Sequence, residues 1–349
     1  MNIAVNGFGR IGRTFFRAAY EKGLNVAAIN DLGDPKTLAH LLKWDSTYGK
    51  FQGEIALKDN AIVVDDKEIL FTQEKDPTML PWKKMEVGIV IESTGIFTNF
   101  EDASKHLQAG AQYVVITAPA KGDQKVKTIV PGVNEDAFSP ETDKVLSMAS
   151  CTTNCLVPVA AVLDSVFGIE KALMSTIHSF TMDQVLQDAP HKDLRRARSA
   201  LQSIIPTTTG ATKATAEVLP SLKDKMNGLS FRVPTATVSV MDFVALLKQN
   251  VSVEALNNAF IQAAGEPKYQ GAIAVVNEPL VSIDFKGNPN ASIVDLSLTQ
   301  VVGGNLVKII AWYDNELGYS HRLVEFCKYI ENKLKVTYEQ NECAAKAEK

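Results

Sequence analysis

The first third of the chain alternates short apolar runs with amphipathic stretches. Ile3–Val5 reads as a strand. Arg10–Lys22 reads as a helix, with Ile11, Phe15, Ala18 and Ala19 at helical spacing. Val26–Ile29 is a second strand and Thr37–Lys43 a short helix. Further on, Val87–Glu92 is an apolar strand, Glu101–Ala109 a helix closed by Gly110, and Tyr113–Ile116 another strand. Strands alternating with helices predict a parallel sheet built from βαβ units.

The pattern changes after Cys151. Leu156–Phe167 reads as an apolar helix and Ala172–Ser179 as a strand. The stretch 182–205 is long, polar and basic, with no clean period. Strand-like runs then recur at Leu229–Arg232, Val238–Leu247, Leu280–Ile283, Ser292–Asp295 and Leu306–Trp312. Runs of strands predict an antiparallel or mixed sheet. A helix returns over 318–334, carrying Leu323, Phe326 and Ile330. The polar tail over 338–349 is expected to be disordered. No internal repeat or low-complexity segment interrupts the chain.

Composition narrows the reading. At 349 residues the chain is too long for one ordinary core and fits two domains. The formal net charge of -4 provides no basic field, so neither nucleic acid nor an anionic membrane is an expected partner. The N-terminal apolar run stops at Asn6, too early for a signal peptide, and no run of apolar residues is long enough to span a membrane. A cytoplasmic location is expected. Four cysteines, Cys151, Cys155, Cys327 and Cys343, are too few for a disulfide scaffold, and none has zinc-site spacing. No metal is expected, and a catalytic thiol is possible.

Gly7-Phe8-Gly9-Arg10-Ile11-Gly12 follows a strand and opens a helix, the context in which G-x-G-x-x-G binds a dinucleotide. The glycines permit a tight turn and close approach of backbone to pyrophosphate, which the helix N-terminus then attracts. Asp31 lies at the end of the second strand, where a carboxylate can accept hydrogen bonds from both ribose hydroxyls. It would repel a 2′-phosphate, and no arginine is near to hold one, so NAD is favoured over NADP. Thr94 and Thr117 follow later strands, where strand ends of such a sheet meet cofactor; each is weak alone and could be a plain turn.

Cys151 sits near the start of the apolar helix. There the macrodipole and free N–H groups stabilise a thiolate, lower the thiol pKa and could hold an oxyanion. Ser150 and Thr152 add hydroxyls suited to an anionic ligand. Cys155 and Cys327 read as inert core thiols. Of five histidines, His178 follows a strand, a rigid mount for a base, although a lone histidine is more often structural. His40 and His106 fall on helices and read as surface or core residues.

These motifs converge on one family. The chain resembles glyceraldehyde-3-phosphate dehydrogenase, the phosphorylating glycolytic enzyme, from Asn6 to about Leu334. The anchors are Asn6–Gly12, Ala149–Cys155, Thr207–Ala211, Phe231–Thr235 and Trp312–Glu316. The resemblance implies phosphorylating oxidation of D-glyceraldehyde 3-phosphate to 1,3-bisphosphoglycerate, with NAD as cofactor. It implies Cys151 as nucleophile and His178 as base. Thr181 and Arg232 would bind the phosphate already on the substrate. Ser150, Thr152, Arg196, Thr209 and Gly210 would bind the attacking phosphate. Arg10, Ile11, Asp31, Lys75 and Thr117 match cofactor contacts, and Asn315 would hold the nicotinamide carboxamide. The basic stretch around Arg195, Arg196 and Arg198 resembles a loop that reaches a neighbouring subunit's cofactor in a homotetramer; for Arg195 and Arg198 a solvated basic loop stays open as a reading.

The implied fold is α/β: a Rossmann-type parallel-sheet domain over 1–150, completed by a C-terminal helix over 316–335, plus an α+β catalytic domain over 151–315 with a mostly antiparallel or mixed sheet. Some positions depart from the family pattern. Phe180 stands for a common Tyr, Ala236 for a Pro, Thr237 for an Asn, Leu317 for a Trp and His321 for an Asn. Ala189 stands where NAD-specific bacterial members usually carry Leu, which weakens the case for strict NAD preference. Two alternatives compete. Erythrose-4-phosphate dehydrogenase usually has Glu at the position of Asp31 and lacks the Thr207–Gly210 match. A non-catalytic nucleotide- or RNA-binding module would not need Cys151, His178 and both arginine sites together.

Overall fold

The computed structural model describes residues 1–347, with side chains to Val336; Glu348 and Lys349 lie outside the described residues. The chain divides into two compact units. The first holds Met1–Pro131, Glu135–Met148 and the chain from Leu323 onward; the second holds Gly132–Asn134 and Ala149–Arg322.

In the first unit, β1 (Asn2–Asn6), α1 (Arg10–Glu21), β2 (Val26–Asn30) and α2 (Pro35–Lys43) open a βαβα run. A two-residue ribbon, β3 (Trp44–Asp45) and β4 (Gly49–Lys50), follows. A meander of β5 (Ile55–Lys58), β6 (Ala61–Val64) and β7 (Lys67–Thr72) comes next. Then come β8 (Val87–Glu92), the short helices α3 (Phe100–Ala103) and α4 (Lys105–Gln108), β9 (Tyr113–Ile116), β10 (Lys127–Thr128) and β11 (Val145–Ser147). The nine-stranded sheet runs β10-β11-β9-β8-β1-β2-β7-β6-β5. It is parallel from β10 to β7, and β6 and β5 pair antiparallel.

Every residue of β8 and β9 is buried, as expected of parallel strands covered on both faces. Strand order reverses between β1 and its neighbour β8. Such a switch point opens a crevice at the carboxyl ends of the strands. The expected helix Glu101–Ala109 is instead two short pieces, α3 and α4, that meet at Ser104. The meander and the short β10 and β11 carry too little local pattern to read from sequence.

In the second unit, α5 (Cys151–Phe167) begins at Cys151 rather than at Leu156. Ser150 is the reason: its extended backbone ends the preceding segment, and its Oγ accepts a hydrogen bond from the Thr153 N–H. The sheet comprises β12 (Ile169–Ser179), β13 (Ile205–Thr208), β14 (Met226–Val233), β15 (Ser239–Leu247), β16 (Ile273–Val276), β17 (Ser292–Asp295), β18 (Gln300–Val302) and β19 (Leu306–Tyr313). Helices α6 (Ala211–Val218) and α7 (Val253–Gly265) interrupt the strands. The order is β13-β14-β12-β15-β19-β17-β16, with β18 on β19. Two pairs, β12/β14 and β16/β17, are parallel and the others antiparallel, so the sheet is mixed.

Leu156, Val159 and Leu163 of α5 pack into one core with Met174, Met241, Phe243, Ile309 and Ala311. The expected strand at Leu280–Ile283 is absent. Asp284 there accepts the Val281 N–H and folds Ser282–Phe285 into a 3₁₀ turn.

The final helix, α8, runs Leu317–Ala347 and so continues past the expected end near Leu334. The expectation of a disordered tail over 338–349 falls on positions whose side chains, and whose last two residues altogether, lie outside the described residues.

Candidate active site

The first unit presents the glycine-rich turn at the carboxyl end of β1. Gly7 has φ 90°, and a Cβ there would lie 2.7 Å from the Thr94 N. A Cβ on Gly12 would lie 2.1 Å from the Gly7 carbonyl oxygen. These two glycines permit close packing of turn, helix and the neighbouring strand end. Gly9 differs: nothing lies within 4 Å of where its Cβ would be. It caps α1 with no side-chain hydrogen bond, and the first turn holds no acidic residue. The turn therefore offers open space and helix N–H groups to an anion. We expect Gly12→Ala to destabilise this unit by about 1–3 kcal/mol, the usual penalty of overpacking. A urea unfolding midpoint equal to wild type would contradict that.

Asp31 sits directly on this turn, with Oδ2 accepting from the Phe8 N–H at 2.6 Å and Oδ1 from the Gly33 N–H at 2.8 Å. Arg10 and Ile11 open α1, and the Arg10 guanidinium donates to Asp45 at 2.5 Å. Lys75 is exposed on the segment after β7. Thr94 follows β8, and its N–H donates to Glu92 at 2.9 Å. Thr117 follows β9 and donates to the Glu92 carbonyl through both N–H and Oγ. The structure therefore brings the ends of β1, β2, β7, β8 and β9 to one edge of the sheet, and the predicted cofactor residues of this unit stand along it.

The second unit assembles the thiol site. Cys151 is the first residue of α5, and its Sγ lies 3.4 Å from Nε2 of His178 near the end of β12. His178 Nδ1 lies 2.7 Å from the Ser179 carbonyl, which can only accept. The ring proton is therefore on Nδ1, and Nε2 faces the sulfur as an acceptor. Burial pushes the thiol up to about 11, opposed by the Arg232 charge and by hydrogen bonds from Thr152. Burial likewise pulls the imidazole down to about 3, and Arg232 adds to that pull.

The expectation of a depressed thiol pKa from helix position alone is thus overturned: desolvation outweighs the helix terminus. A lone charge is costly at either group. A thiolate and an imidazolium formed together, 3.4 Å apart, offset one another.

Arg232 stands beside the pair, and Arg196 joins it through Asp183. Arg232, near the end of β14, is the direct cross-strand partner of His178. Its Nη1 donates to the Thr181 hydroxyl and, at 3.4 Å, to Gln184. Arg196 reaches Thr207 Oγ at 2.9 Å, just before the turn that holds Thr209 and Gly210. Gly210 caps α6 with no side-chain bond and no acid in the first turn. Both arginines face Asp183, which also accepts from Thr181. Asp183 escaped the sequence reading, because nothing local sets it apart from other loop acids.

Arg198 instead pairs with Asp188 at an exposed site. Tyr313 was also missed as a separate contributor. Its buried hydroxyl bonds Thr152 at 2.9 Å and Thr176 at 2.7 Å, tying α5 to β12. Asn315 is buried with Oδ1 accepting from Ser239, which leaves its amide N–H₂ group for another acceptor. Thr237, a departure from the family pattern, donates to Asp314. Ala149, just before Ser150, is held at φ 51° and its carbonyl accepts from Tyr319.

Two family models match this chain: the glyceraldehyde 3-phosphate dehydrogenase NAD binding domain over residues 1–100, and the C-terminal domain of the same enzyme over residues 150–315. The chain belongs to the glyceraldehyde-3-phosphate dehydrogenase family. The enzyme of that name from Geobacillus stearothermophilus is 53% identical over 334 residues, covering 95% of this chain and 99% of the relative. Glyceraldehyde-3-phosphate dehydrogenase 1 of Bacillus subtilis is 51% identical, with the same coverage of both chains. The chloroplastic A form from Chlamydomonas reinhardtii is 50% identical over 94% of this chain and 88% of its own. Membership makes the chain an NAD-dependent oxidoreductase acting on an aldehyde, on an α/β fold. The open Gly9 turn and the Asp31 carboxylate fit that cofactor.

Proposed function

We propose that the chain oxidises glyceraldehyde 3-phosphate to the acyl phosphate 1,3-bisphosphoglycerate, with Cys151 as nucleophile and His178 as base. The observation that carries this is the 3.4 Å approach of Cys151 Sγ to an Nε2 whose acceptor state is fixed by the Ser179 carbonyl. Nε2 takes the thiol proton, and the sulfur adds to the aldehyde carbon. The new oxyanion lies by the first turn of α5, whose N–H groups point at developing negative charge, and it takes the proton back from Nε2 to complete a thiohemiacetal. Nε2 then accepts that hydroxyl proton as the C–H bond breaks. Bound NAD supplies the acceptor for the hydride. A thioester on Cys151 remains; phosphate attacks it, and the thiolate leaves.

Binding follows charge. Thr181 and Arg232 hold the phosphate of the substrate. Ser150, Thr152, Arg196, Thr209 and Gly210 hold the attacking phosphate, joining a guanidinium to hydroxyls and a helix N-terminus. Gly7, Gly9, Arg10, Ile11, Gly12, Asp31, Lys75, Thr94 and Thr117 contact NAD, and Asn315 orients the nicotinamide carboxamide. The reading extends to a cytoplasmic homotetramer without nucleic-acid or membrane partners. The net charge of -4 supports the last point, and among the described residues no helix is long and apolar enough to cross a membrane.

The test is NADH absorbance with triose and tetrose phosphate, with NAD and NADP, and with phosphate present or omitted. We expect a phosphate-dependent signal, larger with glyceraldehyde 3-phosphate and with NAD. A phosphate-independent signal would overturn the acyl-transfer step. Preference for erythrose 4-phosphate would overturn the substrate, and preference for NADP would show that Ala189 outweighs Asp31.

A further inference from the structure

A row of buried side chains crosses the first unit at the strand ends. It starts at Trp82, fully buried, whose Nε1–H donates to Nδ1 of His106 at 3.0 Å. An indole N–H can only donate, so Nδ1 is an acceptor and the His106 ring proton is on Nε2. Nε2 faces Glu92 Oε2 at 3.2 Å and donates to it. His106 and Glu92 are both almost wholly buried. The same Oε2 accepts from the Asn6 amide at 2.5 Å, and two donors converge on it. Asn6 Oδ1 accepts from Asn30 at 2.7 Å. Asn30 Oδ1 in turn accepts from the Thr72 hydroxyl at 2.8 Å and the Glu74 N–H at 2.9 Å. The row thus spans β8, β1, β2 and β7, and each donor and acceptor assignment follows from its neighbour.

Beyond Trp82 and His106, the branches of this row end on segments proposed to meet the cofactor. The other Glu92 oxygen accepts from the N–H and hydroxyl of Thr94. The Glu92 carbonyl accepts from Thr117. Asn30 fixes the backbone at Glu74, next to Lys75. Ser93, between Glu92 and Thr94, donates to the Gly7 carbonyl at 2.7 Å and so clamps the glycine-rich turn. A buried carboxylate is costly unless all its lone pairs are used, and here they are shared between His106 and Asn6 on one oxygen and Thr94 on the other.

We infer that Trp82, His106 and Glu92 form a positioning relay that sets NAD affinity without touching the cofactor. The inference rests on the nucleotide-binding part of the proposed function alone. His106 is the position to probe, because it lies on α4, away from the strand ends. Removing its donor leaves Glu92 with one fewer charge-assisted hydrogen bond, and the carboxylate can turn away from Thr94.

NAD binding to the full-length protein is measured by calorimetry, which needs no turnover. We expect His106→Leu to raise the NAD dissociation constant about tenfold, the effect of losing one hydrogen bond to a buried charge. His106→Gln, which can still donate to Glu92, is expected to recover most of that affinity. Trp82→Phe, which keeps the bulk but removes the N–H, should fall between wild type and His106→Leu. kcat at saturating NAD should stay close to wild type, and amide exchange at Thr94 should quicken in His106→Leu. A lowered melting temperature with an unchanged NAD dissociation constant would overturn the relay and leave His106 merely structural. Loss of kcat with unchanged NAD affinity would also overturn it. Wild-type protein that binds no NAD would overturn both the relay and the nucleotide reading.

Discussion

Replacing Cys151 by serine is expected to lower turnover by roughly 10⁴-fold or more, the scale seen when a covalent nucleophile is removed. A serine hydroxyl is a far weaker acid than a thiol, and burial at this position already pushes even the thiol up to about 11. Alkoxide formation there is correspondingly harder. The substitution removes one polarisable atom and leaves Ser150, Thr152 and Tyr313 in place, so the fold and the anion contacts should persist. Calorimetric NAD binding equal to wild type, beside the lost activity, would separate chemistry from unfolding. A variant that turns over normally would remove Cys151 from the reaction.

The second large effect is expected at His178. His178→Asn should lower kcat by about 10²- to 10⁴-fold, the range for a positioned general base. The same variant gives a sharper pH reading. With the imidazole present, thiolate can form as half of an ion pair. Without it, the thiolate must form alone in a site where burial already pushes the thiol pKa up. A raised thiol pKa means less thiolate at any pH below it. Alkylation of Cys151 by iodoacetamide should therefore be slower in His178→Asn at pH 7, and its pH midpoint should move upward. An unchanged alkylation profile would show that the ring does not share the thiol proton.

How much of this was legible beforehand varied with the range of the interactions involved. The glycine-rich turn, Asp31 and the strands around them are local in sequence, and their spacing named them directly. Cys151 was legible as a thiol near a helix start, but the Ser150 cap that moves the start to Cys151 depends on one hydroxyl orientation. Its acidity was misread, because desolvation comes from strands far along the chain. His178 could be chosen among five histidines only through family resemblance. Asp183, Tyr313 and the row through Trp82, His106 and Glu92 stayed hidden for the same reason: their partners lie far off in sequence or on another element, and only folding brings them together. The meander β5–β7 was missed because its strands are short and mix exposed with part-buried positions, which blurs the apolar alternation.

The parallel pairing of β12 with β14 has a further consequence. His178 and Arg232 are register partners, so the gap between the proposed base and the proposed phosphate anchor is one strand spacing, about 4.8 Å between backbones. Backbone hydrogen bonding sets that gap, and no side-chain rotamer can lengthen it by much. Under the proposed roles, the two groups that handle one substrate stand on mounts whose backbones cannot separate without breaking the sheet, so only their side chains can adjust the span between them.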